Sequence, residues 1–188
     1  MVASAAAARS EDVDEVTLRR AQRGDQRAWR DLVERYQQPV YALIFRMLAG
    51  RARHRAEDLA QETFVRVLGA LDRFDPAGPA TLSTWILTIA ARLTLNELRR
   101  RDSAALADEP IADDRADADS ERARLGAAIA TAMHALPAEQ RTALVLREYH
   151  ELSYAEIAGV LDLDVGTVKS RISRARAALR DLLQGAKP

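Results

Sequence analysis

Cysteine is missing altogether from the 188 residues. That absence excludes disulfide staples, thiolate metal sites and cysteine nucleophiles. Histidine is almost as scarce, and His54, His134 and His150 lie too far apart in sequence to form a local metal motif, so no metal or other cofactor is expected. No apolar run approaches the roughly 18 residues that a membrane span needs. The opening "MVASAAAARSEDVDE" is rich in Ala but lacks the Leu- or Val-rich core of a secretory signal, which makes the cytoplasm the expected compartment. Lysine occurs only at positions 169 and 187, the other basic residues being Arg. This imbalance reads mainly as a GC-rich coding bias, although Arg also suits phosphate and guanine better than Lys does. The apolar share is that of an ordinary globular protein.

The 28 basic and 28 acidic residues cancel, but they are not evenly spread. Through residue 101 there are 17 basic and 13 acidic side chains, residues 102–124 carry 3 and 8, and residues 125–188 carry 8 and 7. An acidic strip, "DSAALADEPIADDRADADSER", thus separates two mildly basic blocks. Few large apolar residues and a proline leave it unable to bury enough surface to offset the entropy of ordering. It is expected to be a flexible linker over residues 102–120, between a domain at 1–101 and a second at 121–188.

Both blocks are helical by pattern, and no convincing strand alternation occurs. The fold class expected is all-α, with an N-terminal helical bundle and a C-terminal helix-turn-helix domain. In "DQRAWRDLVERYQQPVYALIFRMLAG", apolar residues recur at spacings of three and four, the period of one helical face, with Pro39 expected to kink or split the helix. Further helices run through "RAEDLAQETFVRVLGAL" and through "LSTWILTIAARLTLNELRRR", the latter with Ser83 as candidate cap, and "DRFDPAGPAT" between them is a turn-rich loop. In the second block Pro137 sits at a first-turn position, and Ser153 and Glu156 stand at capping-box spacing. "DLD" then forms a turn into a last helix for which Asp164 is the candidate cap.

That last helix begins with "VGTVKSRISRARAALR", which holds five positive charges and no negative one. At 100° per residue, Val168, Ile172, Ala175, Leu179 and Leu182 share one face and are expected to be buried. Lys169, Ser170, Ser173, Arg174 and Ala177 occupy the opposite face, with Arg171 and Arg176 on the flanks. Small or hydrogen-bonding side chains facing base edges, with arginines at the sides to reach phosphates, are what a groove-reading helix needs. A merely solvated face would mix signs, and here no acid precedes Asp181.

"LREYHELSYAEIAGVLDLDVGTVKSRISRARAALRDLL" resembles the C-terminal promoter-reading region of bacterial RNA polymerase sigma factors of the extracytoplasmic-function (ECF) group. "DLAQETFVRVL", followed by a loop and "STWILTIAARLTLNELRRR", resembles the other region of the same group, so two matches occur in the right order. The resemblance implies a non-catalytic subunit that binds core RNA polymerase, reads two promoter elements and helps open the duplex. It implies that Asp58, Gln61, Glu62 and Val65 dock the polymerase, whereas Phe64, Val67, Leu68 and Leu71 face away. From charge alone, that acidic face would pass for an ordinary solvated surface. For the downstream element and melting, the resemblance implies Trp85, Thr88, Arg92, Asn96, Arg99 and Arg100, with Arg101 beside them. Trp85 also fits a core tryptophan packed on Phe64 or Tyr41. The loop "DRFDPAGPATLS" matches the segment that captures an extruded base. Arg92 and Leu93 stand where the family often has Asn-Leu, and Asn96 where it often has Asp, which leaves the downstream sequence preference open. For the upstream element, Lys169, Ser170, Ser173 and Arg174 face bases, with Thr167, Arg171 and Arg176 nearer the backbone.

An anti-sigma factor is a further partner implied by the family, and with the chain stopping shortly after Leu183 no added C-terminal domain is expected. The competing reading is a conventional helix-turn-helix regulator with a helical sensor or dimerisation domain. An adaptor or enzyme is disfavoured, because no cluster of catalytic residue types occurs.

Overall fold

The computed structural model describes residues 13–50, 52–103 and 121–185. Most of the expected linker, and the first twelve residues, lie outside the described residues. Among those described there are helices and no strands: α1 Glu15–Gln22, α2 Gln26–Met47, α3 Arg53–Ala70, a 3-10 turn Leu71–Arg73, α4 Leu82–Ser103, α5 Glu121–Ala135, α6 Ala138–Glu148, α7 Tyr154–Leu161 and α8 Val165–Gly185.

Helices α1 and α2 start where a carboxylate satisfies free backbone donors, whereas α3 starts at Ala52 with no side-chain cap. Asp14 accepts from Thr17 N at 2.9 Å, and Asp25 from Arg27 N and Ala28 N at 2.9 and 3.1 Å. The helix Glu15–Gln22 is not among the elements separated by sequence pattern. Helix α4 also corrects an expectation: Thr81, not Ser83, caps it, its Oγ1 accepting from Thr84 N at 3.1 Å. The helix begins one residue before Ser83, which puts that side chain inside the first turn.

Helix α2 runs unbroken through Pro39 for 22 residues, so the expected split does not occur. A mid-helix proline costs about 3 kcal/mol. Against it stands full burial of Leu32, Val40, Leu43, Ile44 and Met47 along the face on both sides of the proline, at about 1.5–3 kcal/mol for each large side chain.

Helices α1 to α4 form one bundle and α5 to α8 a second, and the two are packed together. Their buried residues, from Leu18 to Ala175, join in a single hydrophobic cluster. Helix α4 lies against α7 and α6, and α2 also lies against α6. The contact is reciprocal. Arg92 of α4 donates to the last-turn carbonyls of α7, whereas Arg141 of α6 donates to the last carbonyl of α2. Between α2 and α3, Ala49, Gly50 and Ala52 all adopt positive φ, at 56, 72 and 55°. This left-handed run turns the chain sharply, and Gly50 N closes it on Phe45 O at 2.9 Å.

Candidate nucleic-acid interface

Helix α8 is positioned by local chemistry. The turn leaves α7 at Asp162, in the left-handed conformation at φ 55°. Ser153 and Glu156 form the expected capping box on α7, with Ser153 N to Glu156 Oε2 at 2.7 Å and Glu156 N to Ser153 Oγ at 3.2 Å. Asp164 caps α8 as expected, accepting from Thr167 N at 2.7 Å and Thr167 Oγ1 at 2.5 Å. The Thr167 hydroxyl and amide hold the Asp164 carboxyl below its ordinary value. A Cβ at Gly166 would sit 3.0 Å from the capping Asp164 Oδ1, so a larger residue here would press on the cap.

Val168, Ile172 and Ala175 are buried and Leu179 packs along the edge of the cluster. Leu182 departs from the expected buried face at 42% exposure, because the cluster ends before the last turns of α8. On the opposite face Lys169, Ser173, Arg174 and Arg176 are exposed, and Thr167, Ser170 and Arg171 are half-buried. Arg174 Nη2 donates to Ser170 Oγ at 3.2 Å, and Ser170 Oγ donates to Thr167 O at 2.9 Å. This outward face is therefore partly pre-organised. Arg176 is tied to Glu148 of α6 at 2.5 Å, and that hydrogen bond raises the guanidinium above its ordinary value.

Helix α4 presents the downstream candidates. Trp85 is half-buried, and its ring lies 5.2 Å from that of Phe74 at 43°. Neither Phe64 nor Tyr41 is the ring partner: Phe64 meets Trp29 edge-on and Tyr41 stacks on Phe45. Thr88 turns its hydroxyl back to Thr84 O at 2.8 Å, whereas Asn96 is exposed. Arg92 Nε lies 3.0 Å from Val160 O and its Nη2 3.2 Å from Gly159 O. Arg99 Nη2 lies 3.5 Å from Glu139 Oε1. Arg100 reaches Glu97, which also takes Arg55 of α3 at 3.0 Å. Burial pushes the Glu97 carboxyl up, but its hydrogen bonds to Arg55 and Arg100 prevail and hold it below its ordinary value. The Arg101 side chain lies outside those described.

Sequence reasoning did not single out Gln22. Its Nε2 donates to both Leu71 O and Phe74 O, at 2.9 and 2.8 Å, and so pins α1 to the start of the turn-rich loop. Beside that loop an open cleft of about 710 Å³ is lined by Val13, Leu18, Gln22, Phe74, Pro76 and Leu82, among others. The clue available was Gln22 at the end of an Asp-capped amphipathic stretch, too weak to name a partner about fifty residues away.

On α3, Asp58, Gln61, Glu62 and Val65 are exposed together, and Glu62 pairs with Arg66 at 2.7 Å. Leu68, expected to face away, is 51% exposed beside Val65 at 70%. The i,i+3 spacing puts the two on one flank, so this surface combines acids with an apolar patch. Among the described residues no group of three or more His, Asp or Glu could hold a metal, and no helix is long and apolar enough to cross a membrane.

Known families match both blocks. Sigma-70 region 2 covers residues 32–104 and Sigma-70, region 4 covers residues 126–179. The RNA polymerase sigma-H factor of Pseudomonas aeruginosa is 39% identical over 93% of this chain and 96% of its own length. The ECF RNA polymerase sigma factor SigW of Bacillus subtilis is 34% identical over 89% and 95%. The ECF RNA polymerase sigma factor SigE of Mycolicibacterium smegmatis is 38% identical over 85% of this chain, which spans 64% of that longer protein. Among solved structures, CnrH in complex with the cytosolic domain of CnrY is similar over 94% of this chain and 100% of its own, with TM-score 0.70 and 29% identity. The sigma factor RpoE in complex with the anti-sigma factor NepR from Bartonella quintana is similar over 84% and 98%, with TM-score 0.68 and 27% identity. The chain therefore belongs to the sigma-70 family of RNA polymerase sigma factors, in its ECF group.

Proposed function

We propose that this chain is a promoter-specificity subunit, which binds core RNA polymerase, brings it to two promoter elements and helps melt the duplex. The carrying observation is the sorted surface of α8, apolar inward and basic outward, behind a correctly capped helix-turn-helix in the same chain as a region 2 bundle. Lys169, Ser170, Ser173 and Arg174 read the upstream element, while Thr167, Arg171 and Arg176 hold its backbone. Trp85, Thr88, Arg92, Asn96, Arg99 and Arg100 serve the downstream element, and the cleft beside Phe74 and Pro76 receives an extruded base. Asp58, Gln61, Glu62 and Val65, extended by Leu68, dock the polymerase. The functional division is 1–101 for docking and melting, 102–120 as linker and 121–188 for upstream reading. Two modest contacts on one tethered chain then reinforce each other through effective concentration.

The chain itself carries no chemistry in this reading; polymerase makes the bonds, in the cytoplasm. An anti-sigma factor is a fitting inhibitor, as one is for the RpoE relative. A conventional helix-turn-helix regulator is not favoured, since a sensor domain has no need of a region 2 sequence ahead of region 4. The decisive experiment is transcription in vitro with purified core enzyme on a promoter library. Specific start sites are expected only when this protein is added, and their absence would refute the reading.

A further inference from the structure

We propose that Gln22 is a positioning residue for strand separation, whose amide holds the wall of the cleft beside Phe74 in the shape that receives an extruded base. The proposal rests on the reading of that cleft given under the proposed function.

A primary amide carries two N–H donors on one nitrogen. Gln22 Nε2 directs them to the 3-10 turn and its exit, donating to Leu71 O at 2.9 Å and to Phe74 O at 2.8 Å. A thioether of similar length has no donor for either carbonyl, and the Asn amide falls one carbon short. The frame behind the amide is firm. Helix α1 packs on α2 with Leu18 and Ala21 buried, and Arg20 donates to Asp25 Oδ2 at 2.9 and 2.7 Å while Asp25 caps α2.

Gln22 and Phe74 line the cleft together, and the Phe74 ring lies 5.2 Å from that of Trp85, a residue proposed for melting. One amide therefore bears on both. Beyond Phe74 the bonds of the loop are local, with Ala77 N donating to Asp75 Oδ1 at 2.9 Å and Gly78 N to Asp75 O at 3.0 Å. They shape the turn, whereas the Gln22 amide and the buried Phe74 ring tie it to the bundle. Gln22 is half-buried, so replacing it frees the loop without emptying the core. A site works best when its supporting contacts hold it ready for the ligand. Where the receptive form is only a fraction of the molecules, apparent affinity falls by that fraction.

The test uses the full chain with Gln22→Met and Gln22→Asn, which withdraw the donor, and Gln22→Lys, which supplies one again. The free protein is read first. Its two tryptophans are Trp29 and Trp85, so a Trp29→Phe background leaves Trp85 as the reporter beside Phe74. Acrylamide should quench Trp85 more strongly in the Met and Asn variants than in their parent, and Gln22→Lys should restore the parent level. Holoenzyme with purified core polymerase is read second, on a promoter with 2-aminopurine scanned through the non-template strand of the downstream element. The position whose fluorescence rises marks the extruded base. Open complexes of the Met and Asn variants should be about ten-fold weaker, as a receptive fraction near one in ten implies. Core capture and upstream duplex binding should stay at the wild-type level. Replacing the extruded base should weaken wild type severalfold and the Met and Asn variants far less, because residue and base act as one unit. A purely structural role would weaken every template alike. Equal sensitivity to that base in wild type and variants would therefore overturn the proposal, as would Trp85 quenching that neither variant changes. Because Gln22→Asn keeps an amide, it carries the test even if Gln22→Met does not fold. If wild type opens the promoter but no position responds, the reading of the cleft falls and the proposal with it. A wild type that opens no promoter with core enzyme would refute the functional reading itself.

Discussion

Arg141 Nε donates to the carbonyl oxygen of Met47 at 2.7 Å, so a side chain of α6 closes the last turn of α2. Its Nη1 meanwhile serves Met133 O, His134 O and Leu136 O at 3.1, 3.1 and 3.2 Å, around the end of α5. The residue is 5% exposed. One planar cation thus adds donors at two helix ends beyond the local backbone bonds there.

Arg141→Met removes the guanidinium donor from Met47 O, His134 O and Leu136 O, while Met133 O keeps Leu136 N at 3.2 Å. A loss of about 3–5 kcal/mol in folding stability is expected, read as a lower urea midpoint. Arg141→Lys should recover less than half, because an ammonium does not span the same fork. Equal stability of wild type and the Met variant would show the bonds to be incidental.

His150 gives the protein a pH dependence of predictable sign. Its Nε2 is sealed without a hydrogen-bond partner among the described residues. Burial, and secondarily the charge of Arg46, push the imidazole down from 6.5 to about 4. Between those values the unfolded chain takes up a proton that the folded chain refuses. The stabilisation is therefore full above pH 6.5 and lost as pH falls towards about 4, by up to about 3 kcal/mol. Asp14, Asp25, Asp164 and Glu97 are held below their ordinary values and act lower in the pH range. Urea titrations at pH 7 and pH 5 should differ for wild type, and His150→Gln should flatten the difference.

Arg174 and Ser170 are joined at 3.2 Å on the outward face of α8, proposed to read the upstream element. Arg174→Ala should cost about 1–3 kcal/mol at one upstream base and relax the preference there. Ser170→Ala should weaken the same position, and the double variant should lose less than the sum, since the two act as one unit. A uniform loss over all upstream sequences would make Arg174 a phosphate contact alone.

Gln61→Ala with Glu62→Ala should weaken capture of core polymerase about ten-fold, or about 1–2 kcal/mol. Helicity should stay at the wild-type level, because both side chains are exposed and neither caps a helix. Unchanged capture would move the docking surface elsewhere. Leu68→Ser tests the apolar extension of that surface in the same assay.

Local chemistry was legible in the sequence. Ser153, Glu156 and Asp164 act on backbone donors within three residues, so their roles follow from spacing alone. The burial of Val168, Ile172 and Ala175 follows from helical period in the same way. What the sequence concealed depends on partners far along the chain. Trp85 rests on Phe74 in the loop, a ring whose placement is fixed by Gln22 holding that loop. Arg92 binds carbonyls 67 and 68 residues away, and a backbone acceptor leaves no trace in residue identity. Pro39 does not split α2, because local propensity is a small cost beside the buried face that the helix presents.

With Lys169, Ser173 and Arg174 open to solvent while Arg92 is engaged by Val160 O and Gly159 O, the proposed upstream contact needs no change in the packing of the two bundles, whereas the proposed downstream contact of Arg92 requires those two bonds to be exchanged.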